Sequence, residues 1–231
     1  MEVLIIIKTI FFDFWDTLFY SSPEQLAKIQ KIRIKRLWKA IQQYKPNYTI
    51  DQTKYDFTEA WKQIKNIRKQ QLIDIGLGGH AKIIITQALG NSFPNNPKAL
   101  TQITQALMFE IEKYVRPFPM VVETIQTLRD ANYNLGIISN TGIDTSASLI
   151  RILEVFKIKK LFSTLVFSDN IGYLKPHPII FKKALKESQT KPCKAVFLGD
   201  NLSNDILGAK NMGISTIHFR YNSFQNAFYP L

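Results

Sequence analysis

The chain has 231 residues, 45% of them hydrophobic and 21% charged, with 30 Lys and Arg against 18 Asp and Glu for a formal net charge of +12. That length and apolar content suffice for a sizeable core, which excludes global disorder and fits one large domain or a domain carrying an insertion. A single cysteine, Cys193, excludes an internal disulfide and a thiolate-built metal site, so a cytoplasmic protein is the default expectation.

The apolar run 3–12 contains Lys8, lacks a basic leading segment and a small-residue cleavage site, and is too short to span a bilayer. It reads as a buried strand running into Asp13, and no membrane association is expected. Asp16-Thr17-Leu18 reads as a loop leaving the top of that strand. From Pro23 the spacing becomes helical: Leu26, Ile29, Ile32, Leu37, Ile41 and Tyr44 recur every three to four residues with Lys28, Lys31, Lys35 and Lys39 between them. Phe57, Ala60, Trp61, Ile64 and Ile67 repeat the pattern, Gly76-Leu77-Gly78-Gly79 interrupts it, and 81–89 and 99–114 supply two further helices. Residues 20–115 are therefore expected to form an all-helical unit between two parts of another domain, 1–19 and 116–231.

After Arg116-Pro117-Phe118-Pro119 helix and strand alternate. The pattern predicts helices over 121–131, 145–156, 178–188 and 206–212, and strands over 135–138, 164–167, 195–198 and 215–219. Such alternation implies an α/β fold, a Rossmann-like three-layer core with a central parallel sheet, whose ligands sit at the carboxyl ends of the strands. Asp13, Ser139, Asp169 and Asp200 each fall just beyond a predicted strand, so four segments deliver polar side chains to one edge.

A carboxylate ending a buried strand needs donors or a cation to compensate its desolvation. Asp13 and Asp200 facing one another would share a proton or hold a hard cation, for which Mg²⁺ suits oxygen-rich ligation. Lys175 offers an ammonium that could also neutralise the cluster, and Ser139 and Asn140 offer hydroxyl and amide donors to an anionic group. The 19–115 segment carries 15 Lys and Arg against 7 Asp and Glu, so the basic excess lies there. Its lysines read as a solvated face that attracts anionic substrates; no nucleic-acid motif accompanies them, and no nucleic-acid partner is expected. His80, His177 and His218 have no metal-site spacing, and only His177 lies near the expected centre.

Asp13-Phe14-Trp15-Asp16-Thr17-Leu18, Ile138-Ser139-Asn140, Gly172-Tyr173-Leu174-Lys175-Pro176-His177-Pro178 with Phe181, and Gly199-Asp200-Asn201-Leu202-Ser203-Asn204-Asp205 with Gly208-Ala209-Lys210 resemble, in order, the four motifs of the haloacid dehalogenase superfamily. The resemblance covers roughly 5–20 and 115–222, and the helical unit sits where that superfamily inserts a helical C1-type cap. It implies that Asp13 is a nucleophile that becomes covalently modified, that Ser139 hydrogen-bonds the transferred group, and that Lys175 stabilises negative charge. It further implies Mg²⁺ ligation by Asp13, Asp200 and the backbone carbonyl of Trp15, with Asp205 supporting the metal's waters or the lysine.

Trp15 departs from the pattern. Most phosphatase members carry an aspartate there as general acid/base, and indole can do neither job. Dehalogenase members do carry an aromatic residue at this position, but they work without metal and generally lack the carboxylate found here as Asp200. Trp15 is equally a candidate substrate contact and a packing residue, and Asp16, one residue displaced, is expected to hydrogen-bond within its loop. The resemblance thus implies a hydrolase, with a Mg²⁺-dependent phosphatase acting on a small phosphomonoester expected first. The alternatives are a 2-haloacid dehalogenase-like enzyme and a catalytically weak binding protein on the same fold.

Overall fold

The computed structural model describes residues 6–91 and 93–221. The first part of the apolar run, residues 3–5, and the last ten residues of the expected α/β domain lie outside the described residues. Five parallel strands form the central sheet: β1 (Thr9–Phe12), β4 (Asn134–Ser139), β5 (Thr164–Phe167), β6 (Ala195–Gly199) and β7 (Ser215–His218), in the order β5-β4-β1-β6-β7. β1 is central, with Phe11 opposite Gly136 on one side and Phe197 on the other.

Side chains alternate across a strand, so each face of this sheet receives its own apolar set. Phe12, Leu135 and Ile137 pack with Ile125 of α5 (Val121–Asp130) and with Leu149, Ile152 and Leu153 of α6 (Ser146–Val155). Phe11, Ile138 and Phe197 pack instead with Ile180, Phe181 and Ala184 of α8 (Pro178–Glu187) and with Ala209 of α9 (Gly208–Lys210). A short helix, α7 (Ser168–Ile171), follows β5. The expected three-layer α/β architecture is what the chain adopts.

Between β2 (Phe19–Tyr20) and β3 (Arg116–Pro117), an antiparallel pair that hydropathy alone did not reveal, the chain forms four helices: α1 (Pro23–Gln42), α2 (Ile50–Gln71), α3 (Gly76–Leu89) and α4 (Pro97–Leu107). α1 and α2 open with reciprocal capping boxes, Ser22 with Gln25 and Thr49 with Gln52, which satisfy otherwise orphaned N–H groups. The helices share a separate core that includes Leu37, Ile41, Phe57, Ala60, Ile85 and Ile103. Ile143, from the loop after β4, inserts into that core, and Arg33 of α1 pairs with Asp144 beside it at 2.7 Å. Lys28, Lys31, Lys35 and Lys39 are exposed, as their spacing suggested. Among the described residues no helix is long and apolar enough to cross a membrane.

Three local expectations are corrected. The helix predicted to run to Tyr114 ends at Leu107, because Arg36 donates to the carbonyls of Gln105, Ala106 and Met108 and so satisfies the helix end; a separate 3₁₀ turn covers Ile111–Tyr114. The glycine run lies inside the first turns of α3, and the break falls earlier, at Leu72, which adopts left-handed backbone. The helix predicted from 206 starts instead as a π-helical turn, Leu202–Leu207, because the Asn201 side chain accepts from Ser203 and Asn204 N–H and initiates winding there.

Gly136 marks a tight point of the sheet: a Cβ there would stand 2.7 Å from Cδ1 of the fully buried Phe11 ring and 3.2 Å from Cβ of Thr164. Gly136→Ala is therefore expected to destabilise the protein by about 1–3 kcal/mol. A denaturant midpoint equal to that of the wild type would show that β1 and β4 have more room than this packing implies.

Candidate active site

The carboxyl ends of β1 and β6 and the loop before α8 meet around one ammonium. Asp13 follows β1, its N–H donating to the Leu198 carbonyl of β6 at 2.9 Å. Lys175 Nζ lies 2.6 Å from Asp13 Oδ1 and 2.7 Å from Asp205 Oδ1, and 5.1 Å from the centre of the Phe197 ring. All three ionic residues are almost fully buried, at 7% exposure for Asp13, 2% for Lys175 and 1% for Asp205. Burial of this kind is costly unless each charge is paired and hydrogen-bonded. Asp205 Oδ2 also accepts the Asn201 N–H at 3.0 Å.

Local sequence explains how Asp205 reaches the strand end. The π turn carries it back over β6, and Gly199 leaves the space: a Cβ at Gly199 would sit 2.6 Å from Cβ and Cγ of Asp205. On the other side of Lys175, Asn140 accepts the Lys175 N–H at 2.7 Å and donates to the Lys175 carbonyl at 3.0 Å. Expected as a donor to the bound anion, Asn140 thus directs its amide to the lysine backbone. Ser139 ends β4 with its hydroxyl fully buried and without a hydrogen-bond partner among the described residues. An unpartnered buried hydroxyl is costly unless a ligand completes it.

One oxygen each from Asp13, Asp200 and Asp205 lies within 4.8 Å of the others. Burial pushes Asp13 up to about 7 against the opposing pull of Lys175, with repulsion from Asp205 and Asp200 adding to it. Asp200 rises to about 6 through burial and the neighbouring charges of Asp205 and Asp16. Lys175, which burial would lower, is held above its ordinary value by Asp13 and Asp205. The ammonium alone therefore does not offset the negative charge. The residues fit a hard divalent cation held by oxygen ligands: both Asp205 oxygens are already engaged, which leaves Asp13 and Asp200 as the carboxylates with capacity to face it.

Other expected residues divide. Asp169 does not join the cluster; its carboxylate accepts the Ser146 N–H at 2.8 Å and anchors the start of α6. Trp15 is half-buried and packs edge-on against Phe14, ring centres 5.1 Å apart. Asp16 has no side-chain hydrogen bond within its loop among the described residues. With left-handed backbone (φ 57°), its carboxyl is raised to about 6 by burial and by Asp13. The positive φ turns the displaced side chain back toward the cluster, which a reading by residue spacing does not capture. His177 caps α8 through Nδ1 and stacks on Tyr173. His218, assigned no role by its spacing, lies 2.8 Å from the Asp200 carbonyl through Nε2 and braces that segment from β7; only the pairing of β6 with β7 brings them together.

Residues 10–219 match the family model described as haloacid dehalogenase-like hydrolase. The chain is 31% identical over 216 residues to a glyceraldehyde 3-phosphate phosphatase from Pyrococcus abyssi, covering 93% of this chain and 82% of that protein. Among solved structures it resembles a 2-haloacid dehalogenase from Pseudomonas syringae pv. Tomato DC3000, with a TM-score of 0.66 and 21% identity over 95% of this chain and 91% of the other. The HAD-hydrolase YfnB from Bacillus subtilis, in a magnesium-bound structure, gives 0.60 and 16% over 93% and 87%. Both structural likenesses are of fold. The family match over most of the chain, with the 31% identical relative, shows that this chain belongs to the haloacid dehalogenase-like hydrolase family.

Proposed function

We propose that the protein is a Mg²⁺-dependent phosphatase that hydrolyses a small phosphomonoester through an aspartyl-phosphate on Asp13. The observation that carries this reading is the charge balance at the strand ends. Asp13, Asp200 and Asp205 cluster with Lys175, and Asp16 adds its charge beside Asp13 and Asp200, an excess of negative charge among the described residues that an incoming phosphate could not enter without a cation. Asp13 and Asp200, with the Trp15 carbonyl and with Asp205 in support, would hold Mg²⁺, which would supply the positive charge that an incoming phosphoryl group needs.

The chain's own groups perform the rest. An Asp13 oxygen attacks phosphorus in line; the new bond to the carboxylate forms as the bond to the ester oxygen breaks. The buried Ser139 hydroxyl donates to the transferred phosphoryl group, and Lys175, its backbone clamped by Asn140, counters charge on nucleophile and phosphoryl together. Water then attacks phosphorus, releases inorganic phosphate and restores Asp13. Residues 20–115 act as a cap over this site, and their basic face favours an anionic substrate. Because Trp15 carries no acid, the leaving oxygen takes its proton from water, which slows turnover and favours good leaving groups. A metal-free 2-haloacid displacement, suggested by Trp15, is disfavoured by the same charge excess, since its substrate is itself a carboxylate.

An aryl phosphate with Mg²⁺ is expected to be hydrolysed, and Asp13→Asn or chelation with EDTA is expected to reduce release of phosphate to background. Hydrolysis that persists under both treatments would sink the proposal. Trp15→Asp supplies the missing acid and is expected to raise turnover about tenfold or more, within the usual range for acid-base assistance; a loss of activity would mean that Trp15 is needed for substrate contact.

The raised carboxylates also predict a pH dependence. Ordinary Asp side chains titrate at 3.8, whereas Asp13, Asp16 and Asp200 titrate at about 7, 6 and 6 in the fold. Their contribution to metal-free stability is complete below the unfolded value and is lost as pH rises through 6 to 7, because the unfolded chain ionises first. Mg²⁺ favours the ionised forms, so its addition is expected to raise Tm more at about pH 8 than at about pH 5. Equal shifts at both values would count against binding to these carboxylates.

A further inference from the structure

The helical insert touches the α/β body at a second seam, away from the β2–β3 pair. Asp74 N–H donates to the Gly172 carbonyl at 3.0 Å and Leu174 N–H to the Leu72 carbonyl at 2.8 Å, with Ile73 opposite Tyr173 in an antiparallel bridge. Lys175 directly follows Leu174. The Asp74 side chain has no exposed surface. Its carboxylate accepts from Ser168 Oγ at 2.5 Å, Thr141 Oγ1 at 3.1 Å and Gly76 N–H at 2.9 Å, and lies 3.4 Å from Arg68 Nη1. Arg68 also donates through Nη2 to the Thr141 carbonyl at 2.5 Å.

A carboxylate this deeply buried is tolerated only when donors replace its water. Of these donors, Ser168 and Thr141 belong to the α/β body, as does the carbonyl that receives the Asp74 N–H. Gly76 and Arg68 come from the insert itself, so the burial of Asp74 is fully compensated only while the insert is seated against Ser168 and Thr141, and that seating fixes the strand of loop that leads into Lys175. From there the chain of contacts is short: Leu174 is held by Leu72, Lys175 by the Asn140 clamp, and Nζ by Asp13 and Asp205.

We propose that Asp74 is a positioning residue that couples seating of the helical insert to placement of the Lys175 ammonium against Asp13. The phosphatase reading enters only through the turnover readout. A residue that simply fastens the insert over substrate would change KM; one that aims the lysine changes kcat.

The test compares Asp74→Ala, Thr141→Val and Thr141→Ser with the wild type, using aryl phosphate turnover with Mg²⁺ and amide hydrogen exchange. Asp74→Ala is expected to lower kcat at least about tenfold with KM changed less than about threefold. Exchange at the Leu174 and Lys175 amides is expected to accelerate by about tenfold or more while that of β1 and β4 amides keeps its wild-type rate. Thr141→Val, which removes one donor to Asp74, shifts both readouts in the same direction, and Thr141→Ser restores them; this pair decides the matter if Asp74→Ala does not fold. Wild-type exchange at Leu174 and Lys175 in the variants, or a rise in KM with kcat retained, overturns the proposal. If the wild type hydrolyses no phosphate ester, the phosphatase reading fails separately and the exchange rates alone decide the coupling.

Discussion

One ammonium organises this molecule's polar centre. Lys175 is almost wholly removed from water, and the two carboxylates that contact it are buried with it. Such an arrangement is expensive unless every charge is met, because attraction between partners offsets desolvation only at close range and with further hydrogen bonds. The surrounding architecture meets part of that condition and leaves an excess of carboxylate charge beside the ammonium. Asn140 holds the lysine backbone on both its N–H and its carbonyl, Asn201 N–H supports Asp205, and the Phe197 ring lies beside the ammonium.

The sheet makes this convergence possible. β1 lies between β4 and β6, so residues leaving all three strands emerge side by side, and β7 adds His218 against the Asp200 backbone. Apolar side chains on alternating faces, Phe11 and Phe12 above all, bind the central strand to helices on both sides. Rigid packing of this kind holds charged groups where relaxation would otherwise pull them apart or let water between them. Two glycines serve the same end: Gly136 admits the Phe11 ring and Gly199 admits Asp205.

The helical insert is no independent appendage. Ile143 of the body completes its core, Arg33 reaches Asp144, and Asp74 and Arg68 enter a polar cluster with Thr141 and Ser168. Those contacts fall on the segments that follow Ser139 and precede Lys175. Any displacement of the insert is therefore felt by the residues that would hold an anion, a coupling that strand ends alone would not create. Trp15 and Asp16 add a local contrast. The indole fills space against Phe14, while the carboxyl beside it, turned by a left-handed backbone, adds its charge to the cluster.

The amino-acid sequence by itself determined the α/β class, the all-helical insertion, most element positions, and the four segments bearing Asp13, Ser139, Lys175 and the Asp200–Asp205 pair. These were legible because periodicity and strand-end polar residues are local properties, and because each motif keeps its internal spacing. Tertiary structure alone decided which oxygen meets which proton: that Asp205 faces Lys175, that Asn140 serves the lysine backbone, that Asp169 caps a helix, and that Asp74 belongs with Thr141 and Ser168. Such pairings join residues far apart in the chain, and they are set by strand order, backbone handedness and the space left by glycine, none of which is written in the spacing of residues along one segment.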